Sequence, residues 1–305
     1  MTKLGQNRGV SNVAVAIALA IFLVQSAAFR SDPPHKCDSC DEWNKPREPF
    51  KIYGNSYYVG TDGLSAILIV GDAGHILLDG GLEQSAALID ANIRKLGFKT
   101  EDVKFIVNSH GHYDHAGGIA ALQQASGAMV AASASGADAL RRGENTTDDP
   151  QFGFGHAANA FPPVKNVRVI KDGEIQRVGN ISVTPNFTPG HTPGSTAWTW
   201  QSCEAGKCLN MVYADSVTAV SAPGFKFTAK PELVNTFRRS ITRVGELPCD
   251  IVVSTHPSAT NLEAKIAKRR ELNGAGPDPF VDHGCKALAA SAMKTLEARI
   301  AEEKK

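Results

Sequence analysis

Apolar residues recur in short runs along the first half of the chain, and this pattern predicts a strand meander followed by helices. The runs are rich in Val and Ile and are separated by turns containing Gly, Asp and Ala. The predicted strands lie at 57–59, 66–70, 76–78 and 104–107. A helical period covers 85–96, with Gly97 as its stop signal. Segment 31–49 is rich in Pro and charge, which predicts an irregular arm laid over the core.

The second half of the chain continues to alternate between the two periods, as α/β folds do. Helices are predicted at 118–125, 136–141, 262–270 and 287–301, and strands at 129–131, 167–170, 181–184, 196–200, 211–213 and 251–254. Segment 146–163 contains Asp-Asp-Pro, Phe-Gly-Phe-Gly and Pro-Pro, which fit neither period and indicate a loop. Loops of this length in compact domains are often functional.

Composition narrows the class of protein. The 305 residues are 42% hydrophobic and 21% charged, the balance of an ordinary globular protein, and such a length can form one large domain. Disorder and a coiled coil are therefore disfavoured. The formal net charge is +1, so no basic field indicates a nucleic-acid partner.

The N-terminus has the three-part layout of a secretory signal peptide. Lys3 and Arg8 precede an apolar run at 13–24, and the small residues at 26–28 follow it. The alternative is a membrane anchor, but the run is shorter than the roughly 20 apolar residues that span a bilayer. We therefore predict that residues 1–28 are removed and that 29–305 form a single domain, periplasmic or secreted and without a membrane contact.

Six cysteines in an exported chain indicate disulfides, for which 15 pairings are possible. Cys203 and Cys208 flank a short loop between two strand-like runs, so they are the first expected pair. Cys249 with Cys285 is the second, because a bridge there would tie the C-terminal region to the core. The CxxC at 37 and 40 could be half of a zinc ribbon, a redox pair or a local bridge, and the missing second CxxC disfavours the ribbon.

A cluster of metal-binding residue types directly follows the strand predicted at 104–107. His110, His112, Asp114 and His115 fall within six residues. Residues two apart in an extended chain face the same side, and a turn into the next helix would let His115 join them. Imidazole and carboxylate suit zinc, and a catalytic zinc has about three protein ligands and one open position. Unrelated surface histidines are an unconvincing alternative, because three of the nine histidines lie here.

Two further histidines lie at the ends of predicted strands, where α/β folds carry catalytic residues. His191 lies on a Pro- and Gly-rich turn after 181–184, and His256 follows 251–254. Each alone would be an ordinary turn residue. Together with the first cluster they bring the set to six ligands, the number that two zinc ions require.

The order of these residues, with His191 inside Pro-Gly-His-Thr-Pro-Gly-Ser, resembles the metallo-β-lactamase superfamily across essentially the whole mature chain. The resemblance implies a four-layer αββα sandwich of mixed α/β class with the metals at one edge. It assigns His110, His112 and His191 to the first zinc. It assigns Asp114, His115 and His256 to the second.

The chain is most similar to the third subclass of these enzymes, since Ser216 stands where thiolate-using members have Cys. The resemblance places Ser216 and Thr218 beside the substrate carboxylate, with Lys226 as the rival for that role. It also places Gln151 in the pocket lining. Both expected cysteine bridges resemble those of secreted members of this subclass.

Two aspartates are open to more than one interpretation. In relatives of the glyoxalase-II and lactonase type an Asp near position 215 bridges the metals, whereas the lactamase-like sequence around Asp215 favours a supporting role. Asp79 would orient a ligand or its loop, or else be an ordinary cap or turn carboxylate. Of the other histidines, His35 and His283 are predicted to be solvated and His75 to lie in a turn, with His156 a weak candidate for substrate contact.

The resemblance implies a monomeric enzyme that takes a small-molecule substrate, a β-lactam antibiotic, and confers resistance to it. Two zinc ions per chain would supply a metal-bound hydroxide that opens the lactam amide, with Asp114 as general base. The runner-up is another hydrolase of the same fold, acting on lactones or thioesters. A noncatalytic zinc module is disfavoured, because closed structural sites need four protein ligands per metal.

Overall fold

A computed structural model describes residues 1–2 and 33–305. The predicted signal peptide lies almost entirely outside these residues. Within them the strands are β1 (Phe50–Tyr53), β2 (Ser56–Tyr58), β3 (Ile67–Gly71), β4 (Gly74–Leu78), β5 (Val103–Val107), β6 (Met129–Ala132), β7 (Val167–Val169), β8 (Gln176–Val178), β9 (Ile181–Phe187), β10 (Thr196–Glu204), β11 (Lys207–Ala214) and β12 (Ile251–Ser254).

The α-helices are α1 (Cys40–Trp43), α2 (Ser85–Lys95), α3 (Tyr113–Ala116), α4 (Ile119–Ser126), α5 (Ala134–Arg142), α6 (His156–Asn159), α7 (Pro231–Glu246), α8 (Leu262–Leu272) and α9 (Cys285–Glu303). Short 3₁₀ turns occupy Thr100–Asp102, Phe152–Phe154, Phe227–Ala229 and Pro257–Thr260. No helix among the residues that the structure describes is both long enough and apolar enough to cross a bilayer.

The strands form two sheets. The first has the sequential order β1 to β7, antiparallel up to β4 and parallel from β4 to β7. The second has the order β12-β11-β10-β9-β8, with only the β11–β12 pair parallel. The C-terminal ends of β9, β11 and β12 therefore point the same way.

Alternation along the strands stacks these sheets into four layers, because successive side chains point to opposite faces. In β4, Ile76 and Leu78 face the second sheet, whereas Leu77 packs under α2 and α4. In β11, Met211 and Tyr213 face the first sheet, whereas Val212 packs under α7 and α9. The αββα sandwich predicted from the resemblance is confirmed.

Several elements differ from the sequence prediction. The arm at 31–49 contains the one-turn helix α1, and strands β1 and β8 were not predicted. His75 lies in β4 rather than in a turn, buried with its ring edge against Phe98, and burial lowers its pKa. The largest omission is the 16-residue helix α7.

Three disulfides join the six cysteines: Cys203–Cys208, Cys249–Cys285 and Cys37–Cys40. The first closes the β10–β11 hairpin, where the two residues are directly paired across the strands. The second anchors the start of α9 to the chain just before β12. Both predicted pairs are confirmed, and the open pairing of the CxxC is a local bridge inside the arm.

Candidate metal centre

The loop that carries the first histidines is held in place by a buried carboxylate. Asp79 follows β4 with a positive φ of 60° and is fully buried. It accepts hydrogen bonds from the Ser109 backbone N–H at 2.7 Å, the Ser109 hydroxyl at 2.6 Å, the Asn108 side chain at 3.0 Å and the Tyr213 hydroxyl at 2.9 Å. Burial raises its pKa to about 6. Asp79 therefore orients the loop between β5 and His110, and it makes no direct hydrogen bond to a ligand side chain.

Helix packing fixes the same loop from the other side. Gly111 separates His110 from His112, and a Cβ built on it would lie 2.5 Å from the Cβ of Ala139 in α5. Glycine is therefore needed there for the helix to approach this closely. The backbone then turns directly into α3, which begins at Tyr113 and carries Asp114 and His115.

The turn that carries His191 is supported by α7. The Ser240 hydroxyl donates to the Pro189 carbonyl at 2.6 Å, and a Cβ on Gly190 would lie 2.2 Å from the Phe237 ring. The omitted helix is thus part of the scaffold beneath this histidine.

His110, His112 and His191 converge from both sheets into one group. Their nearest ring nitrogens all lie within 4.8 Å of one another, and all three side chains are buried. Burial, together with the neighbouring imidazoles, lowers the pKa of His191 to about 3 and that of His110 well below its usual value. Both rings are therefore neutral at physiological pH, the form that binds a metal ion.

Each of these three rings uses one nitrogen for a hydrogen bond to another group of the protein. His110 Nδ1 donates to Asp215 Oδ1 at 2.6 Å, and His112 Nε2 donates to Asp149 Oδ2 at 3.0 Å. His191 Nδ1 donates to the Thr218 carbonyl at 2.8 Å. Metal-binding histidines are typically oriented in this way by an acceptor on the second ring nitrogen, which leaves the first nitrogen free for the ion.

A second group surrounds Asp114. Its Oδ2 lies 3.2 Å from His115 Nε2 and 3.3 Å from His256 Nε2. His256 Nδ1 faces the Gly63 carbonyl at 3.3 Å. Although burial alone would raise it, the pKa of Asp114 is held well below its usual range by His115 and His256. At His115, burial favours a lower pKa, but the negative charge of Asp114 outweighs burial. The pKa of His115 is therefore raised.

His110 also lies within 4.8 Å of Asp114 and His115, so geometry alone allows it in either group. Asp215 occupies its Nδ1, so only Nε2 remains for a metal ion. That nitrogen is buried without a hydrogen-bond partner, as is Nδ1 of His115. Such atoms are costly to bury unpaired. The neutral imidazoles of His110 and His191, the Asp114 carboxylate and these unpaired nitrogens fit a divalent metal such as zinc.

The residues predicted to bind substrate lie beside this centre. Ser216 and Thr218 follow β11, and both line a cavity that His256 also lines. The Ser216 hydroxyl is 2.9 Å from that of Thr255, and Thr218 is exposed. Lys226 is exposed and does not line this cavity. Gln151 is half-buried, and its backbone N–H donates to Asp149 Oδ1 at 2.7 Å.

The structure also places the three histidines outside the two groups for which solvation or substrate contact is predicted. His35 is not solvated: its ring stacks on that of Tyr113 with centroids 3.9 Å apart, and 7% of its side chain is exposed. His156 is 78% exposed and bonded to Glu144, so it points to solvent rather than to the centre. The prediction for His283 holds, with 67% of its side chain exposed.

Asp149 is the site residue that the sequence prediction omits. It lies in the long loop at 146–163 and touches His112, 37 residues earlier in the chain. Burial favours a higher pKa for Asp149, but the contact with His112 outweighs burial. The pKa of Asp149 is therefore lowered. The local sequence signal for Asp149 is limited to the Asp-Asp-Pro motif within a long loop of a kind that is often functional.

The chain is similar to known proteins in both sequence and fold. The sequence matches the metallo-β-lactamase superfamily over residues 59–256. Among solved structures, the Rm3 metallo-β-lactamase is 48% identical, with a TM-score of 0.84 over 88% of this chain and 100% of that chain. The metallo-β-lactamase SMB-1 is 46% identical, with a TM-score of 0.81 over 86% and 99%. MEM-A1, a subclass B3 enzyme from a soil metagenome library, is 45% identical, with a TM-score of 0.81 over 86% and 98%.

Curated relatives are more distant. A hydroxyacylglutathione hydrolase from Cereibacter sphaeroides is 27% identical over 205 residues, which cover 67% of this chain and 62% of that protein. An N-acyl homoserine lactonase from Bacillus cereus is 26% identical over 117 residues, which cover 38% and 40%. The chain thus spans less than two thirds of the length of these curated relatives.

Proposed function

The chain belongs to the metallo-β-lactamase superfamily, and from this premise we propose that it is a zinc-dependent β-lactamase that confers resistance to β-lactam antibiotics. The observation that carries the proposal is its similarity, at 45–48% identity and over almost their whole length, to solved enzymes described as metallo-β-lactamases. The two groups of ligand-type side chains agree with a hydrolase that acts through metal ions.

We assign His110, His112 and His191 to one zinc ion and Asp114, His115 and His256 to a second. Zinc bound there would supply a hydroxide nucleophile near neutral pH and a Lewis acid for the lactam carbonyl. The protein's contribution is orientation. Asp215, Asp149 and the Thr218 carbonyl each fix one ring of the first group, so the free nitrogens face inward without rearrangement.

Asp114 is the residue placed to handle a proton. Its Oδ2 lies between the rings of His115 and His256, and these two histidines keep the carboxylate charged. A charged carboxylate in a buried site is a competent base for a water molecule beside it. The same atom is therefore the best general-base candidate and a ligand candidate of the second group.

The hydroxyls of Ser216 and Thr218 are assigned to orient the substrate. A β-lactam carries a carboxylate on the carbon bonded to the lactam nitrogen, and neutral hydroxyls are suitable donors to it. Both residues line the cavity next to His256, on the side of the second ligand group. Gln151 is assigned to the pocket rim through its loop, since its backbone is bonded to the acceptor of His112.

The alternative function is hydrolysis of lactones or thioesters, and the curated relatives of those classes are the reason to keep it. A metal-bridging Asp215 would favour it. Asp215 instead directs Oδ1 at His110 Nδ1 at 2.6 Å and at the Ser216 backbone N–H at 2.7 Å. This arrangement supports an orienting role and therefore the lactamase assignment.

The decisive experiment compares three substrates. We expect the zinc-loaded protein to hydrolyse nitrocefin much faster than a thioester or an N-acyl homoserine lactone, and to lose that activity in a chelator and regain it on adding Zn²⁺. Elemental analysis should give two zinc ions per chain. Faster turnover of the lactone or thioester would replace the β-lactamase assignment, and activity that survives complete removal of zinc would exclude the metal mechanism.

The Ser216→Ala, Thr218→Val double variant tests the carboxylate contact. Losing two neutral hydrogen bonds is expected to raise KM about tenfold with a smaller effect on kcat, because the contact is the same in the ground and transition states. Zinc content should not change. Ser258→Ala, which removes another hydroxyl from the same cavity, is the control. A wild-type KM in the double variant would transfer the role to Lys226.

Export remains part of the proposal. The features that support it are the signal-like sequence at 1–28 and three disulfides in the part of the chain that the structure covers, as expected in an oxidising compartment. We propose a periplasmic or secreted monomer with the domain at 29–305. Mass measurement of the exported protein would locate the cleavage site.

A further inference from the structure

The helix α9 forms one wall of a cavity that adjoins the metal centre. The cavity has a volume of about 420 Å³ and lies between α9, the segment after β11 and the arm. Ser216, Thr218 and His256 line it on the side of the centre. The opposite wall consists of α9 side chains at spacings of three and four, which lie on one helix face: Leu288, Ser291, Ala292 and Thr295.

Apart from His256, the side chains that line this cavity are apolar or carry a hydroxyl, and none of them is charged. Trp43, Leu288 and Ala292 supply apolar surface, and the remaining polar groups are hydroxyls. The Thr295 hydroxyl is already bonded to the Ser291 carbonyl at 3.0 Å. No Lys, Arg, Asp or Glu among the described residues lines this space. Away from Ser216 and Thr218, such a surface favours an uncharged group over a charged one, because no charged side chain there would compensate a buried charge.

Resting on the proposed β-lactamase function, we infer that this cavity binds the ring substituent next to the substrate carboxylate and that α9 sets specificity for it. In cephalosporins the ring carbon beside the one that bears the carboxylate carries such a substituent. A carboxylate held by Ser216 and Thr218 brings that neighbouring carbon to the mouth of the same cavity. The inferred preference is for large, uncharged substituents.

Size agrees with this assignment. Sites for small molecules commonly measure about 300–1,000 Å³, so 420 Å³ admits a substituent of one or two rings. Ser291 is exposed on α9 and can be enlarged without disturbing the core, whereas Ala292 is buried against α7 and the second sheet. Ser291 is therefore the position at which the cavity can be closed.

The test uses two cephalosporins with the same acyl side chain. Nitrocefin carries a large uncharged group beside the carboxylate, and its 3-methyl counterpart carries a small one. In Ser291→Phe we expect kcat/KM for nitrocefin to fall about tenfold or more and that for the methyl compound to stay within about threefold. Ala290→Phe is the matched control, because Ala290 is exposed on the same helix and does not line the cavity.

A second variant guards against a purely steric or folding effect. Ser291→Asp places a negative charge in the cavity and should improve the relative kcat/KM for a cephalosporin with a cationic group at this position, on the order of threefold. Equal losses of kcat/KM on both cephalosporins in Ser291→Phe, or no change of preference in Ser291→Asp, would overturn the role of α9. The proposed function would still stand in that case if the wild-type protein hydrolyses β-lactams. A wild-type protein that hydrolyses no β-lactam would overturn both.

Discussion

Replacing Asp114 by Asn is expected to lower kcat for β-lactam hydrolysis by about 10²- to 10⁴-fold, the range for loss of a general base. The amide has the same shape but no charge, so the packing around His115 and His256 should survive. A neutral amide is also a poorer zinc ligand, so we expect zinc content to fall from two to about one per chain. Steady-state kinetics and elemental analysis of the same sample measure both effects.

Asp138→Asn provides the control for Asp114→Asn, because Asp138 is exposed on α5 and the substitution changes net charge equally. Its kcat and zinc content should match those of the wild type. Wild-type turnover in Asp114→Asn would rule out both roles assigned to Asp114. Lost turnover with two zinc ions retained would leave proton handling as its role and assign the metal to other residues.

Replacing Asp79 by Ala should destabilise the protein by about 3 to 5 kcal/mol. Four donors from Asn108, Ser109 and Tyr213 converge on this fully buried carboxylate and would lose their acceptor together. The left-handed backbone at Asp79 adds strain for Ala. Urea unfolding of the metal-free protein measures the loss without a contribution from metal binding.

Asp79→Asn separates the hydrogen-bonding from the charge. Asn tolerates positive φ, and its carbonyl can replace Oδ1, which accepts from Asn108 and Ser109. Its amide would face the Ser109 and Tyr213 hydroxyls, which can accept instead of donate. We therefore expect a much smaller loss than in Asp79→Ala. Equal losses in the two variants would mean that the charge, and not the network, matters.

The centre was predictable to the extent that its residues are close in sequence or follow regular strands. His110 to His115 lie in one segment, and His191 and His256 each follow a strand whose hydrophobic pattern is clear. Asp149 was not predictable in this way, because its contact with His112 depends on how the loop at 146–163 folds back. A lone aspartate in a loop carries no sign of its partner.

The omission of α7 has a different cause. Val234, Phe237, Ile241 and Val244 follow helical spacing, and Pro231 stands in the first turn, where proline is favoured. The signal was therefore present in the sequence. The stacking of His35 on Tyr113 is the opposite case, since an irregular arm gives no periodic pattern from which its contacts could be read.

The ligand candidates are spread over the chain from His110 to His256 and come from both sheets. An unfolded chain offers only the segment from His110 to His115 at close range, so complete binding sites exist only after the two sheets have docked. For a zinc enzyme built in this way, complete metal loading follows the folding of the domain. Zinc at a hundredfold excess over its dissociation constant would add about 2.7 kcal/mol to the folded state. A host that withholds zinc would thus reduce the amount of folded enzyme that survives proteolysis, as well as its activity.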